Sequence, residues 1–328
     1  MLRFRLGLSL LVLLFASCSA STAPTQSTVP DMPALEPSVT PTPTPFRIIA
    51  YATEGIVENI IPYDKLTHIN YAFLIPNDDG TFAKINNDWK LKLIVEHART
   101  HNVSVIISVG GWGWDKEFET MAAGPAYRKA FVQNLKAFVD EYQLDGADID
   151  WEYPDAGQSA QNFLALIQEL RAALPDKALT AAVVSHGKNG MGILPETFEL
   201  FDFVNVMTYD GADHGTMQQF EQGLAFWTAR GLPKEKIVMG VPFYSHPEGL
   251  PKVTGIIYSK LVEADPLAAQ TDTFEYNSAM QIYNGIPTVQ VKTKLAMQQA
   301  SGIMFWTLDY DAQGELSLVN TIYETAHP

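Results

Sequence analysis

Residues 144–154 read LDGADIDWEYP, and acidic and apolar side chains alternate through most of this stretch. Successive side chains of a β-strand point to opposite faces, so Asp148, Asp150 and Glu152 share one face. Successive members of this row lie roughly 6.5 Å apart along the strand. Ile149 and Trp151 face the other way. The stretch therefore predicts a strand with three carboxyl groups on one face and apolar side chains on the other.

The three carboxyl groups of this row are too close together for all of them to ionise at low cost. Repulsion between like charges and burial both raise carboxyl pKa values. A proton shared within the row keeps Glu152 protonated near neutral pH, as a general acid requires. The alternative is a solvated acidic turn, which would have polar neighbours where this stretch has Ile149 and Trp151. The row thus indicates a catalytic acid.

Short β-rich segments alternate with helical segments on both sides of this strand. The candidate strands are residues 47–51, 68–73, 103–109, 146–152, 179–184, 203–209, 237–243 and 302–308. The clearest helical candidates are residues 87–99, 126–142, 158–174, 216–230 and 291–300. Alternation of this kind favours a parallel sheet, and eight such units predict an α/β fold, the (β/α)8 TIM barrel. A doubly wound open sheet is the alternative, but no GxGxxG motif follows the first strand. Glu152 then lies nearest the carboxyl-terminal mouth, where barrel active sites are found.

The amino terminus has the pattern of an export signal. Arg3 and Arg5 precede an apolar run over residues 6–15, and small residues and Cys18 follow. This arrangement resembles a bacterial lipoprotein signal, in which the cysteine is lipidated after residues 1–17 are removed. Cleavage after Ala20 is the alternative. We therefore predict an exported cell-envelope lipoprotein, or a secreted protein, that meets the membrane through its lipid alone.

The composition changes after Cys18. Residues 19–45 are rich in Ser, Thr and Pro, which favours an extended spacer over a packed core. The predicted organisation is a signal peptide (1–17), a lipidated cysteine with its linker (18–45) and a single catalytic domain (46–328). Cys18 is the only cysteine, so neither an intrachain disulfide nor a thiolate metal site can form. The seven histidines show no HExxH spacing and no tight cluster, so the sequence predicts neither a metal nor a cofactor.

The charge balance limits the classes of partner. Acidic residues number 37 and basic residues 22, for a formal net charge of -15. Nucleic acid is excluded as a partner because phosphate binding needs a basic surface. A neutral polymer such as a polysaccharide is not repelled by this charge.

Several ordered motifs resemble glycoside hydrolase family 18, the chitinases and their relatives. The acidic stretch matches the family's DxxDxDxE signature, which begins here at Asp145. The other segments that resemble the family are SVGGW (108–112), NYAF (70–73), MTYD (207–210) and GIMFW (302–306). The resemblance extends from Phe46 to about Asp311.

The resemblance implies a mechanism in which the N-acetyl group of the substrate is the nucleophile. Glu152 would protonate the leaving oxygen and then activate water. Asp150 would hydrogen-bond the acetamido N–H, and Asp148 would share a proton with Asp150. Tyr209 would hydrogen-bond the acetamido oxygen, and Trp306 would form the floor beneath the sugar. Tyr209 as a core tyrosine and Trp306 as barrel filling are the alternatives.

Further side chains are expected to line the cleft. These candidates are Tyr51, Phe73, Trp112, Met207, Asp210 and Tyr244. Core or supporting positions are the alternatives for most of them, and Trp112 could instead pack under a loop. The family often has Tyr-Gly-Arg after the seventh strand, where this chain has residues 242–246, PFYSH. His246 would replace the arginine contact more weakly, or the cleft differs there.

The segment before the eighth strand looks too short for the large α+β insertion that deepens many chitinase clefts. We interpret residues 248–284 as an elaborated loop with a short helix near 258–264. A shallower groove and internal cleavage of chains follow from this interpretation.

The resemblance predicts a monomeric enzyme that hydrolyses β-1,4-linked N-acetylglucosamine polymers, chitin or chitooligosaccharides. Cleavage of N-glycan cores or peptidoglycan-like polymers is a second possibility, since the acidic motif serves each equally. A non-catalytic chitin-binding lectin is the third. Lectin relatives typically lose the acid, and Glu152 is present here with Asp148, Asp150 and Tyr209.

Overall fold

A closed barrel of parallel strands is the central feature of the computed structural model, which describes residues 45–250, 252–253 and 255–328. The predicted signal peptide, the lipidation site at Cys18 and all but the last residue of the linker lie outside the described residues.

The strands of the barrel are β1 (Arg47–Thr53), β2 (His68–Leu74), β3 (Ser104–Gly110), β4 (Gly146–Asp150), β5 (Ala178–Val184), β6 (Phe203–Met207), β7 (Ile237–Pro242) and β11 (Gly302–Trp306). A small second sheet contains β8 (His246–Pro247), β9 (Thr273–Tyr276) and β10 (Ala279–Ile282). The α-helices are α1 (Asp88–Thr100), α2 (Asp115–Ala123), α3 (Pro125–Glu141), α4 (Gln158–Ala173), α5 (Met217–Ala229), α6 (Tyr258–Ala264), α7 (Ile286–Gln299) and α8 (Leu318–Ala326).

Neighbouring strands of the barrel follow the order β1-β2-β3-β4-β5-β6-β7-β11, and β11 pairs with β1 to close the ring. Every pairing is parallel, and helices connect most consecutive strands. This topology confirms the predicted (β/α)8 barrel. Strands such as β4 and β6 are buried along their whole length, because a barrel strand faces the interior on one side and helices on the other.

The alternation in the fourth strand sorts its side chains as the sequence predicts. Ile149 and Trp151 belong to the apolar layer between strands and helices. The Trp151 ring stacks on Phe118 of α2, with 5.2 Å between ring centroids. The indole N–H of Trp151 also donates to Asp115 Oδ1 at 2.8 Å. These contacts anchor the outer face of β4, so the carboxyl row must face the barrel interior.

Several features differ from the sequence expectations, including helices α2 and α8, which were not among the candidates, and the end of β6, which lies at Met207 and not at Tyr209. The fourth strand ends at Asp150 and not at Glu152, because the last pair with β3 joins Gly110 to Asp150 and Gly111 then turns away with φ 88°. The loop expected over residues 248–284 also contains β9 and β10, which pair antiparallel with each other and with β8. The short helix expected near 258–264 is α6. Within the described part of the chain, no helix combines the length and apolarity needed to cross a bilayer.

Candidate active site

The carboxyl row runs up the barrel interior to its mouth. Asp148 and Asp150 are buried on β4, and Glu152 lies just beyond the end of that strand, where it is partly exposed. Asp145, the first acid of the motif, lies before the strand, and its carboxylate accepts the backbone N–H of Val105 at 2.7 Å. Three acids therefore reach the interior or the mouth, while the fourth fixes the start of the strand.

Asp148 is saturated with hydrogen bonds. Its Oδ2 accepts from the hydroxyls of Tyr51 and Ser108, each at 2.8 Å. Its Oδ1 accepts from the Thr180 hydroxyl at 2.6 Å and from Asn205 Nδ2 at 3.2 Å. Burial raises the pKa of Asp148, and these four hydrogen bonds offset part of the rise. Because four donors occupy both oxygens, the site is organised for a carboxylate rather than a carboxylic acid.

Asp150 has the opposite environment. Its Oδ1 is buried and has no hydrogen-bond partner among the described residues. Burial, with the charges of Glu152 and Asp148, raises the pKa of Asp150 well above its usual value. An unpartnered buried carboxyl oxygen is costly, so native structures keep one only where a ligand, water or function accounts for it. The surroundings of Asp150 thus favour its protonated form and leave Oδ1 without a partner among the described residues.

The turn after β3 lets the backbone approach Asp150 closely. The Gly111 N–H donates to the Asp150 carbonyl at 2.9 Å. A Cβ on Gly110 would lie 2.4 Å from that carbonyl oxygen and 2.5 Å from the Phe118 ring. Gly110 also has φ 109°, which L-residues with side chains rarely adopt. The two glycines of the SVGGW segment therefore shape the mouth beside the acids.

Glu152 has the properties of a general acid that works near neutral pH. Burial raises its pKa to about 7; the Tyr153 hydroxyl lowers it in part and the charge of Asp210 raises it. A catalytic acid is most efficient when its pKa is near the working pH. Glu152 can therefore donate a proton and recover it under the same conditions.

The hydroxyl of Tyr209 has only a weak hydrogen-bond acceptor among the described residues. The recorded partner of this hydroxyl is Met304 Sδ, at 3.7 Å, and a thioether is a weak acceptor. Burial and then the charge of Asp150 raise the pKa of Tyr209 well above its usual value. Tyr209 is consequently a neutral donor whose hydroxyl lies beside Met304 in the barrel interior.

Aromatic rings border the mouth near the ends of β2 and β11. Trp306 stacks on Phe73, with 5.3 Å between ring centroids and planes 19° apart. Tyr51 is buried and tilts against Trp306 at 5.8 Å. Trp112 follows β3 with 79% of its surface exposed, which argues against packing beneath a loop. Met207 is buried inside the barrel at the end of β6.

Asp210 is the centre of a second polar group at the mouth. Its Oδ1 accepts from the Tyr244 hydroxyl at 2.5 Å and lies 2.8 Å from His246 Nε2. Partial burial raises the pKa of Asp210, but the hydrogen bonds from His246 and Tyr244, together with electrostatic attraction to His214 and His246, keep the pKa below its usual value. His246, which stands where the family often has arginine, thus contacts an acid of the MTYD segment.

The sequence predicted the carboxyl row but not two of the four side chains that donate hydrogen bonds to Asp148. Thr180 and Asn205 were not candidates, although both lie on predicted strands at inward-facing positions. His214 was missed as well; its one sequence signal is the spacing of four residues from Asp210.

Known proteins that are similar to this chain include chitinases. The family model described as glycosyl hydrolases family 18 matches residues 47–311. A chitinase structure from Bacteroides thetaiotaomicron is 30% identical, with a TM-score of 0.78, and covers 86% of this chain and 97% of that one. The family 18 chitinase from the chitin utilization locus of Flavobacterium johnsoniae is 30% identical, with a TM-score of 0.76, over 86% of this chain and 94% of that one. Chitinase 1 of Aphanocladium album is 25% identical over 338 residues, 80% of each protein.

Proposed function

This chain belongs to the glycosyl hydrolases family 18 and is a glycoside hydrolase, and from that membership we propose that it cleaves β-1,4-linked N-acetylglucosamine chains by a retaining, substrate-assisted route. The observation that carries the proposal is the unpartnered buried oxygen of Asp150. It lies in a row between the saturated Asp148 and the mouth residue Glu152. An N-acetyl group supplies the N–H that this oxygen lacks.

The first step forms a bond within the substrate. The acetamido carbonyl oxygen attacks the anomeric carbon, and the glycosidic C–O bond breaks. Glu152 gives its proton to the leaving oxygen and becomes a carboxylate. In the second step Glu152 takes a proton from water, and the resulting hydroxide opens the oxazolinium at the anomeric carbon. The configuration is retained because the anomeric carbon is attacked twice, once from each face.

Asp150 and Tyr209 hold the acetamido group in position for attack. Asp150 accepts the acetamido N–H, and the Tyr209 hydroxyl donates to the acetamido oxygen. The nearby negative charge of Asp148 stabilises the proton on Asp150 before substrate binds and supports the positive oxazolinium afterwards. A nucleophile already held within the substrate gains much of its rate from this positioning.

The electrostatics also disfavour a double displacement through Asp150. An enzyme carboxylate can attack the sugar only when it is deprotonated. Burial, Glu152 and Asp148 all raise the pKa of Asp150 well above its usual value. The acetamido oxygen needs no deprotonation, so it is the more readily available nucleophile.

Product analysis tests the proposal. Chitooligosaccharides should yield the β-anomer first, as followed by NMR of fresh products, while cello-oligosaccharides of equal length should remain intact. The two substrates share the linkage and differ in the acetamido group. Equal cleavage of both, or an initial α-anomer, would contradict the substrate-assisted route. An N-glycan and peptidoglycan assayed beside them would identify the preferred polymer.

We also propose, from the sequence alone, that Cys18 is lipidated and holds the enzyme on the cell envelope. The Ser/Thr/Pro-rich residues 19–45 would then serve as a spacer between the lipid and the barrel. Mass spectrometry of the mature amino-terminal peptide distinguishes a diacylglyceryl-cysteine from the free Ser21 left by cleavage after Ala20.

A further inference from the structure

A second cluster of titratable side chains lies beside the carboxyl row. One ligand atom each from Asp210, His214 and His246 falls within 4.8 Å of the other two. The His214 and His246 rings meet edge to face, with 4.1 Å between centroids. Asp210 and His214 follow β6, whereas His246 begins β8 after the seventh strand. Folding therefore creates a histidine cluster where the sequence shows no tight grouping.

Backbone carbonyls orient both histidines. His246 Nδ1 lies 2.8 Å from the Val253 carbonyl, and His214 Nε2 lies 3.1 Å from the Tyr244 carbonyl. A carbonyl only accepts, so each of these nitrogens carries a hydrogen. His214 Nδ1 accepts the Asp210 backbone N–H at 2.9 Å, so it carries a lone pair. The remaining nitrogen of each ring, His214 Nδ1 and His246 Nε2, lies on the side of the ring nearest Asp210.

This arrangement matches that of metal-binding histidines, which almost always donate their second ring N–H to a carbonyl or carboxylate. We propose that Asp210 Oδ1, His214 Nδ1 and His246 Nε2 form a binding site for one divalent transition-metal ion of the zinc class. Imidazole nitrogen favours zinc, copper and nickel, whereas magnesium and calcium prefer oxygen ligands. Two nitrogens and one oxygen therefore select the zinc class.

Two of the three distances between the ligand atoms are close to those around an ion of this size, and the third is within 4.8 Å. Ligand atoms about 2.0 Å from a tetrahedral zinc ion lie about 3.3 Å from one another. Asp210 Oδ1 lies 2.8 Å from His246 Nε2 and 3.8 Å from His214 Nδ1. Shifts of about half an ångström in the ligand atoms would bring both of these distances to about 3.3 Å. Binding would also break two contacts: the Asp210 N–H would lose its acceptor on His214, and His246 Nε2 would release to solvent the proton that it donates to Asp210.

An ion can reach the site from solvent. The Asp210 side chain is 59% exposed, while His214 and His246 are 3% and 7% exposed. The exposed side leaves the fourth position for water. The two histidines and Asp210 would supply three ligands, and the open fourth position resembles that of the three-ligand sites in which zinc keeps a water.

A bound ion would inhibit hydrolysis. The negative charge of Asp210 is one cause of the raised pKa of Glu152, and a dication on Asp210 would reverse that effect and favour loss of the Glu152 proton. It would also disturb the Tyr244 hydroxyl, which donates to the same Asp210 oxygen. Inhibition rests on the proposed role of Glu152, whereas binding of the ion does not.

Calorimetric titration of the chain with ZnCl2, after EDTA treatment and dialysis, tests the site without substrate. The wild type should bind one Zn²⁺ at this site and far less Mg²⁺, and His246→Gln and His214→Gln should each weaken Zn²⁺ binding at least tenfold. His327→Gln, which changes an exposed histidine near the carboxyl terminus, is the control and should match the wild type. Unchanged Zn²⁺ affinity in both site variants, or Mg²⁺ affinity equal to that for Zn²⁺, would overturn the assignment.

A second measurement covers variants that fail to fold. Wild-type crystals soaked in ZnCl2 should give an anomalous peak at the zinc edge between the three ligand atoms, and the lack of one would overturn the site. Zinc inhibition that EDTA reverses is expected on chitooligosaccharides. If no chitooligosaccharide is cleaved, the proposed function fails while the titration and the crystal still decide the metal site.

Discussion

The hydroxyl of Tyr209 and the Sδ atom of Met304 lie 3.7 Å apart, and this sulfur is the recorded partner of the hydroxyl within the described chain. The raised pKa of Tyr209 keeps its proton in place. A buried hydroxyl with so weak a partner has hydrogen-bonding capacity in reserve for a ligand. Removing the Tyr209 hydroxyl by mutation can therefore show whether it serves a bound ligand or the stability of the fold.

Tyr209→Phe should lower kcat on chitooligosaccharides about 10²-fold, because the acetamido oxygen loses the donor that aims it at the anomeric carbon and misplacement of a reacting group costs about that much. The free energy of unfolding should change little, because only the contact with sulfur is lost. Steady-state kinetics and urea unfolding check the two halves of this expectation. A large loss of stability with kcat preserved would indicate a core tyrosine instead.

Glu152→Gln should abolish hydrolysis while sugar binding persists, because the amide keeps the shape of the side chain but cannot donate the proton. Calorimetry with chitooligosaccharides measures binding, and product formation measures turnover. Glu221→Gln, on an exposed face of α5, is the matched control and should behave as the wild type. Unchanged turnover in the Glu152 variant would refute its role as the acid.

The pH profile of kcat/KM should fall on its basic side through about pH 7, because Glu152 must be protonated to act and its pKa is raised to about 7. Asp210→Asn removes a charge that contributes to the rise, so its basic limb should move to lower pH. A limb that stays in place after this substitution would exclude electrostatic coupling between the two groups.

The same shift has a consequence for stability. Burial raises the pKa of Glu152 from 4.5 to about 7, so the folded state binds the proton more tightly than the unfolded chain. Ionisation of the buried Glu152 lowers the free energy of unfolding, and this loss is absent below pH 4.5 and complete above about pH 7. Glu152→Gln should therefore melt higher than the wild type at pH 8 and nearly equal to it at pH 4. Equal melting temperatures at both values would contradict the raised pKa.

Gly110→Ala should destabilise the fold by more than about 1 kcal/mol, because its new Cβ would meet the Asp150 carbonyl and the Phe118 ring. Gly113→Ala is the control: its φ is 98°, yet nothing lies within 4 Å of a Cβ there. The difference between the two in urea unfolding isolates steric conflict from backbone strain. Equal losses would show that close approach to Asp150 is unimportant.

Local patterns in the sequence were sufficient for the barrel and the acidic row. The alternation around Ile149 and Trp151 assigned faces correctly because a strand has a fixed period of two. The strand end was misplaced by two residues, since pairing stops where Gly110 and Gly111 turn. Strands β9 and β10 have four residues each, too few for alternation to distinguish them from a loop.

The surroundings of the acids were less predictable because they depend on barrel closure. Tyr51, Ser108, Thr180 and Asn205 reach Asp148 from positions 32 to 97 residues away. No local pattern relates such distant residues. His214 and His246 likewise meet only because β6 and β7 are neighbours. The residues proposed for the chemistry are thus marked by a local sequence pattern, whereas the residues that surround them are not.

The four donors to Asp148 also link its charge to the integrity of the whole ring. Two come from the first four strands, on β1 and β3, and two from the later strands, on β5 and β6. A fragment that contains only β1 to β4 would leave Asp148 with two of its four hydrogen-bond donors. The two half-barrel fragments should therefore regain activity only when they reassociate. A circular permutant that keeps all eight strands closed would preserve every donor, whichever loop holds its new termini.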